Sequence, residues 1–301
     1  MEDVNRSDSG SSTFISAPDG LRLHARCYGR RGLENLPVVC LPGLARTAAD
    51  FETLADALAN DKDRLRRVIA LDYRGRGLSE YDKDPANYSF QVELADVLAV
   101  VAALDAMPAI FVGTSRGGIL AMLLAAVRPT AIAGVVFNDI GPVIDPKGLI
   151  RIKSYVGKLP QPKSYEEGAE VLRRLFDAQF PKLGPQDWLA AAHRSFRPEK
   201  DYLVQTYDVR LAETLGGVDF AKPLPPLWKE FDALPDVPIM AIRGANSDIL
   251  SPSTVAEMLA HRPALEIVEV PDQGHTPLLA EPDIIGRIVD FAGRCDAQRA
   301  H

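Results

Sequence analysis

Apolar residues in this chain gather into short unbroken runs, and most runs lead directly into a glycine or aspartate turn. Six have strand length: residues 37–41, 67–71, 109–112, 133–137, 238–242 and 265–270. They are rich in Val and Ile with little polar alternation, the pattern of strands covered on both faces in a parallel sheet. Between them the period changes. In residues 48–60, Phe51, Leu54, Ala55 and Leu58 recur at steps of three and four, and residues 89–104, 117–127 and 282–295 read the same way. Ahead of this alternation, Thr13-Phe14-Ile15-Ser16 and Leu21-Arg22-Leu23-His24-Ala25 flank Ala17-Pro18-Asp19-Gly20, which predicts an antiparallel hairpin. The fold class is α/β: a mostly parallel sheet with an N-terminal hairpin and helices on both faces.

The alternation stops between residues 142 and 234. No strand is evident there, and helical segments follow one another. Ser164-Tyr165-Glu166-Glu167 matches a capping box ahead of Val171, Leu172, Leu175 and Phe176. Pro185-Gln186-Asp187-Trp188 opens another segment. Such a stretch is too long for a loop and predicts a helical cap, with Ala221-Lys222-Pro223-Leu224-Pro225-Pro226 as a stiff return linker. The domain organisation is then a mobile segment 1–12, a core of 13–141 and 235–301, and a cap of 142–234.

The 301 residues are 47% hydrophobic and 25% charged, an ordinary globular mixture. A chain this long buries enough surface to fold without disulfide or metal staples. The net charge of −7 argues against a nucleic-acid partner, which would select a basic face. Cys27, Cys40 and Cys295 are odd in number and widely spaced, which fits a reducing compartment and neither a disulfide framework nor a zinc site. The first residues have no basic head or apolar core, so no secretory signal is read. No apolar run is long enough to cross a bilayer, and a cytoplasmic setting is expected.

The strongest chemical signal is Gly113-Thr114-Ser115-Arg116-Gly117, a G-x-S-x-G between an apolar strand and an apolar helix. A serine on so sharp a turn holds its hydroxyl above the sheet, beside the free N–H groups of a helix start. A hydroxyl needs a base to become nucleophilic, and the base needs an orienting acid. Of five histidines, His24 falls in the hairpin, His193 in the cap, His261 at a helix end and His301 at the terminus. His275, in Gln273-Gly274-His275-Thr276-Pro277, follows the last strand, where ligands meet an open α/β sheet. For the acid, Asp248 lies past the strand at 238–242. Asp139, after Phe137-Asn138, is the rival, read instead as a turn or capping aspartate. The chain order Ser115, Asp248, His275 is that of one hydrolase type among several. The oxyanion donors are assigned to the N–H of Arg116 and, in Leu41-Pro42-Gly43-Leu44, the N–H of Leu44.

Together these residues resemble the α/β-hydrolase superfamily, in its lid-bearing serine esterase-like branch. The resemblance runs from about residue 13 onward. It includes Asp72-Tyr73-Arg74-Gly75-Arg76-Gly77-Leu78-Ser79, similar to the family's D-x-R-G-x-G-x-S turn, which is mainly structural there. Pro42 departs from the family pattern, which often has histidine before the oxyanion glycine. The resemblance implies no cofactor and no metal. It also implies a Ser-His-Asp carboxylesterase acting on small to medium apolar esters or lactones. A C–C bond hydrolase and a cofactor-free perhydrolase use closely related steps. A non-turnover small-molecule receptor on the same fold is the alternative of another class, distinguished by labelling without turnover. The sequence leaves the oligomeric state open.

Overall fold

The computed structural model describes residues 10–216 and 224–299. Eight strands form one sheet: β1 (Ser11–Ser16), β2 (Arg22–Tyr28), β3 (Val38–Leu41), β4 (Val68–Asp72), β5 (Ala109–Thr114), β6 (Ile132–Asn138), β9 (Ile239–Gly244) and β10 (Glu266–Val270). A separate antiparallel pair, β7 (Phe196–Glu199) and β8 (Tyr202–Gln205), precedes the last two of these in the chain. The sheet order is β1-β2-β4-β3-β5-β6-β9-β10. β1/β2 and β2/β4 are antiparallel, and every other neighbouring pair is parallel.

The unbroken apolar runs divide cleanly by parity. Val39, Leu41, Ile69, Leu71, Phe111, Val135 and Phe137 join one core cluster. Their neighbours Val38, Cys40, Val68, Ala70, Ile110, Val112 and Val136 join the other. Side chains alternate across a strand, so a run buried at every position requires cover on both faces. α2 (Phe90–Ala103), α3 (Arg116–Val127) and α8 (Pro252–His261) cover the first face. α1 (Glu52–Ala59) and α9 (Pro282–Arg299) cover the second. Full burial of a Val, Ile or Phe side chain contributes about 1.5–3 kcal/mol. The residues 48–60 expected as one helix divide into a short 3₁₀ turn, Ala48–Phe51, followed by α1.

Between β6 and β9 lie α4 (Pro146–Tyr155), α5 (Tyr165–Phe176), α6 (Pro185–Ser195), β7, β8, a 3₁₀ segment Val209–Leu215 and α7 (Trp228–Asp232). Ser164 caps α5 through its hydroxyl, which accepts from the Glu167 N–H. The second half of the expected capping box is displaced, because Glu167 accepts from the Lys163 N–H rather than from Ser164. The strand pair corrects the expectation of an all-helical segment: four residues per strand and a Pro198 obscured any alternation. This segment has an apolar cluster of its own, built on Leu172, Phe180, Trp188 and Phe196. Phe231 of α7 instead packs against Phe137 of β6, with ring centroids 6.0 Å apart, so the chain rejoins the main core before residue 235.

At the amino end, Ser11 and Ser12 pair with Cys27 and Arg26 in the sheet, so the mobile stretch expected over 1–12 does not extend to them, and residues 1–9 lie outside the described residues. Residues 221–223 of the expected return linker also lie outside them. No helix among the described residues is long and apolar enough to cross a membrane.

Candidate active site

Ser115 sits between the end of β5 and the first turn of α3, with φ 50° and ψ −110°. A non-glycine residue in this region is strained, and the surroundings must hold it there. The flanking glycines show how. A Cβ on Gly117 would lie 2.0 Å from the Leu41 carbonyl oxygen, and one on Gly113 would lie 2.5 Å from the Gly118 nitrogen. The turn closes only because those atoms are missing.

His275, in the loop after β10, turns its Nε2 to within 2.9 Å of Ser115 Oγ. Its Nδ1 lies 2.8 Å from Asp139 Oδ2. Asp139 follows β6 directly, has φ 56° and is completely buried. Its Oδ1 accepts from the Gly244 N–H at 2.8 Å, and Oδ2 also accepts from Ser247 Oγ at 2.6 Å. These bonds leave the carboxylate one orientation, facing the imidazole.

Asp248 does not take the position expected of it. It forms a two-point pair with Arg151 of α4, Nε to Oδ2 at 2.6 Å and Nη2 to Oδ1 at 2.8 Å. Burial alone would raise this carboxyl, but the Arg151 hydrogen bonds and charge outweigh it and hold it below the usual range. The acid beside His275 is Asp139, so the reading of Asp139 as a mere turn or capping residue is corrected. The physical reason is reach: Asp139 leaves β6 next to β9, and its N–H donates to Ile242 of that strand. Three residues separate Asp248 from the end of β9, and a cation from the inserted segment captures it.

Leu44 lines the cavity in front of Ser115. The loop approaches Ser115 closely, since a Cβ on Gly43 would stand 3.9 Å from the Ser115 Cβ. Among the described residues, neither the Leu44 N–H nor the Arg116 N–H donates to any acceptor. Two free backbone donors beside a serine are what a developing oxyanion requires.

His24, set aside from sequence, is also bonded on both sides: Nδ1 lies 2.7 Å from Asp72 Oδ2 and Nε2 lies 2.9 Å from Ser12 Oγ. Ser12 is not part of the cavity lining. Asp72 also accepts from the Ala48 and Leu78 N–H groups, so this second chain of bonds ties the hairpin to the turn after β4. That turn is built around Arg74, which is buried and donates to Asp96 through Nε and Nη2, both at 2.7 Å.

The cavity above Ser115 and His275 has a volume of about 510 Å³, within the usual range for small-molecule sites. Leu172, Phe176, Phe180, Leu183 and Trp188 supply an apolar wall from the inserted segment. Trp228 of α7 stacks on His261 with ring centroids 4.4 Å apart. Arg46, Asp50 and Arg194 make a polar end. Arg46 holds Asp50 in two bonds of 2.6 Å, while Arg194 Nε stands 3.6 Å from the same carboxylate.

Residues 38–286 match the alpha/beta hydrolase family. The chain belongs to that family. It is 34% identical to a 3-hydroxybutyrate-oligomer hydrolase of Cupriavidus necator, with 89% of this chain and 93% of that one covered. It is 26% identical to a 2-(acetamidomethylene)succinate hydrolase of Mesorhizobium japonicum, covering 80% of this chain and 82% of the other. Among solved structures, an alpha/beta hydrolase from Novosphingobium aromaticivorans superposes with a TM-score of 0.87 at 39% identity, covering 95% of this chain and 99% of that one.

Proposed function

We propose that this family member is a carboxylesterase working through an acyl-enzyme. Ser115 attacks the ester carbonyl while His275 Nε2 takes its proton. Asp139 fixes the imidazole tautomer and stabilises the cation that forms. The N–H groups of Leu44 and Arg116 receive the oxyanion. His275 then protonates the departing alcohol and activates water for deacylation. The observation that carries this reading is the single imidazole bonded at once to Ser115 and Asp139, beside two unpaired backbone donors.

For substrate, we propose a short ester of a hydroxy acid with an apolar body and a free carboxylate at one end. The cavity pairs a hydrophobic wall with two guanidiniums, Arg46 and Arg194, that share the carboxylate of Asp50. The other carboxylates at its edge are engaged elsewhere, Glu52 with Arg26 at 3.0 Å and Asp187 with the Gly184 N–H at 2.8 Å. The similarity to a hydrolase of 3-hydroxybutyrate oligomers agrees with this class. The test is turnover of hydroxybutyrate dimer and trimer against p-nitrophenyl butyrate, with Ser115→Ala as control. Ser115→Ala should abolish both reactions and leave the thermal transition in place. Near-normal activity in that variant would sink the mechanism. Equal kcat/KM for the dimer and its methyl ester would sink the anionic-substrate assignment.

A further inference from the structure

We propose that Glu93 is a positioning residue that sets both donors of the oxyanion pocket from beneath, an inference that rests on the esterase reading above. Glu93 belongs to α2 and is completely buried. Its Oε2 accepts from Arg116 Nε at 2.6 Å, and its Oε1 accepts from Arg76 Nη1 at 2.7 Å. Each guanidinium leads to one oxyanion donor. Arg116 follows the nucleophile, and its own N–H is the first donor. Its Nη2 also donates to the Tyr88 carbonyl at 2.9 Å, and its guanidinium lies over the Phe90 ring at 4.0 Å, so the side chain has no slack. Arg76 reaches the other way, its Nε donating at 2.9 Å to the carbonyl of Leu44, whose N–H is the second donor. One carboxylate thus ties together, from beneath, the two loops that carry the donors.

Stability alone does not account for this arrangement. Withdrawing three charged groups from water costs more than their attraction reliably returns, and apolar triplets of similar volume often hold as well or better. The three groups also leave a surplus positive charge, with Arg76 Nη2 buried and lacking an acceptor among the described residues. A fixed cation beneath the pocket favours a negative oxygen above it. The two donors must be set to within a fraction of an ångström, and a 1 Å displacement at a reacting centre costs about 100-fold.

The test uses Glu93→Gln and a second variant that removes the whole cluster, Arg76→Met with Glu93→Met and Arg116→Met. Glu93→Gln should lower kcat on p-nitrophenyl butyrate by about 10- to 100-fold and leave KM within about twofold. Phosphonylation of Ser115 by a fluorophosphonate should slow by a similar factor. A trifluoromethyl ketone, which forms a tetrahedral adduct, should bind more weakly by that factor, while inhibition by the product butyrate stays unchanged. The triple variant should melt at or above the wild-type temperature and show the same loss of kcat. A folded triple variant with wild-type kcat would overturn the proposal and leave the esterase reading intact. Loss of folding in both variants would overturn it in favour of a purely structural cluster. Wild-type protein without Ser115-dependent turnover would overturn both readings.

Discussion

Replacing Asp139 by asparagine and, separately, Asp248 by asparagine distinguishes the two carboxylates that follow neighbouring strands. Asp139 accepts three hydrogen bonds, from the Gly244 N–H, the Ser247 hydroxyl and His275 Nδ1. An asparagine that keeps its oxygen on the Gly244 N–H turns its NH₂ toward His275. The imidazole must then accept at Nδ1, so its proton moves to Nε2, which faces Ser115 Oγ at 2.9 Å. A protonated Nε2 cannot take the serine proton. The equivalent change in a serine triad lowers kcat by about 10⁴-fold, or about 5.4 kcal/mol at 1.36 kcal/mol per decade. Asp248→Asn removes chiefly the pairing with Arg151, in which the Asp248 and Arg151 side chains are 25% and 20% exposed, with a weaker side-chain contact to Gln179. A partly exposed pair contributes on the order of 1 kcal/mol, so this variant should lose a few degrees of melting temperature and keep kcat within about threefold. Initial rates on p-nitrophenyl butyrate, corrected by active-site titration and accompanied by thermal melts, give both numbers. The reverse ranking, with Asp248→Asn inactive and Asp139→Asn within tenfold of wild type, would refute the assignment.

Further outcomes follow from the same structure. Because Asp248 titrates below its ordinary value of 3.8, its contribution to stability is fully present above that value and is lost as pH falls through the lower folded one. The stability gap between wild type and Asp248→Asn should therefore be flat from about pH 5 upward and narrow as pH falls below the ordinary carboxyl value, as read by denaturant unfolding; a gap that widens on acidification would contradict this. Gly117→Ala would place a Cβ 2.0 Å from the Leu41 carbonyl oxygen and should cost several kcal/mol or prevent folding, as seen in the melting temperature. Arg194→Ala should raise KM for a carboxylate-bearing dimer at least fivefold more than for its methyl ester; an equal change would remove Arg194 from substrate recognition. Burial pushes the Cys40 thiol well above its usual range and the Cys295 thiol up to about 12. Iodoacetamide at pH 8 should therefore leave both unmodified until the protein is unfolded.

What was legible in sequence follows from how many residues encode each feature. The sheet is written redundantly: every position from Val38 to Leu41 and from Val68 to Leu71 is apolar because both faces are covered. The turn at Ser115 is equally overdetermined, since Gly113 and Gly117 each forbid a side chain for a separate steric reason. The choice of acid was not written in this way. Asp139 and Asp248 both lie beyond carboxyl ends of adjacent strands, and local pattern treats them alike. A signal was present, because Asp139 follows its strand with no intervening residue and so has the shorter path to a loop crossing β9. What disqualifies Asp248 is Arg151, distant in sequence and brought near only by the folded inserted segment. The strand pair β7 and β8 was missed because four residues holding a proline carry too little periodicity. The Glu93 cluster was hidden because its members come from a turn and two different helices, and isolated charges in sequence ordinarily signify solvated positions, whereas here both guanidiniums are turned inward.

The separate apolar cluster beneath α5 and α6 has a consequence for how this protein diversifies. Leu172, Phe180 and Trp188 pack among themselves and not into the two clusters of the main sheet, yet they also line the cavity above Ser115. Mutations there are filtered by a small local jigsaw instead of by the whole architecture. A lineage carrying this scaffold is free to reshape which molecules it accepts while the reacting groups, anchored in the sheet, inherit their alignment unchanged.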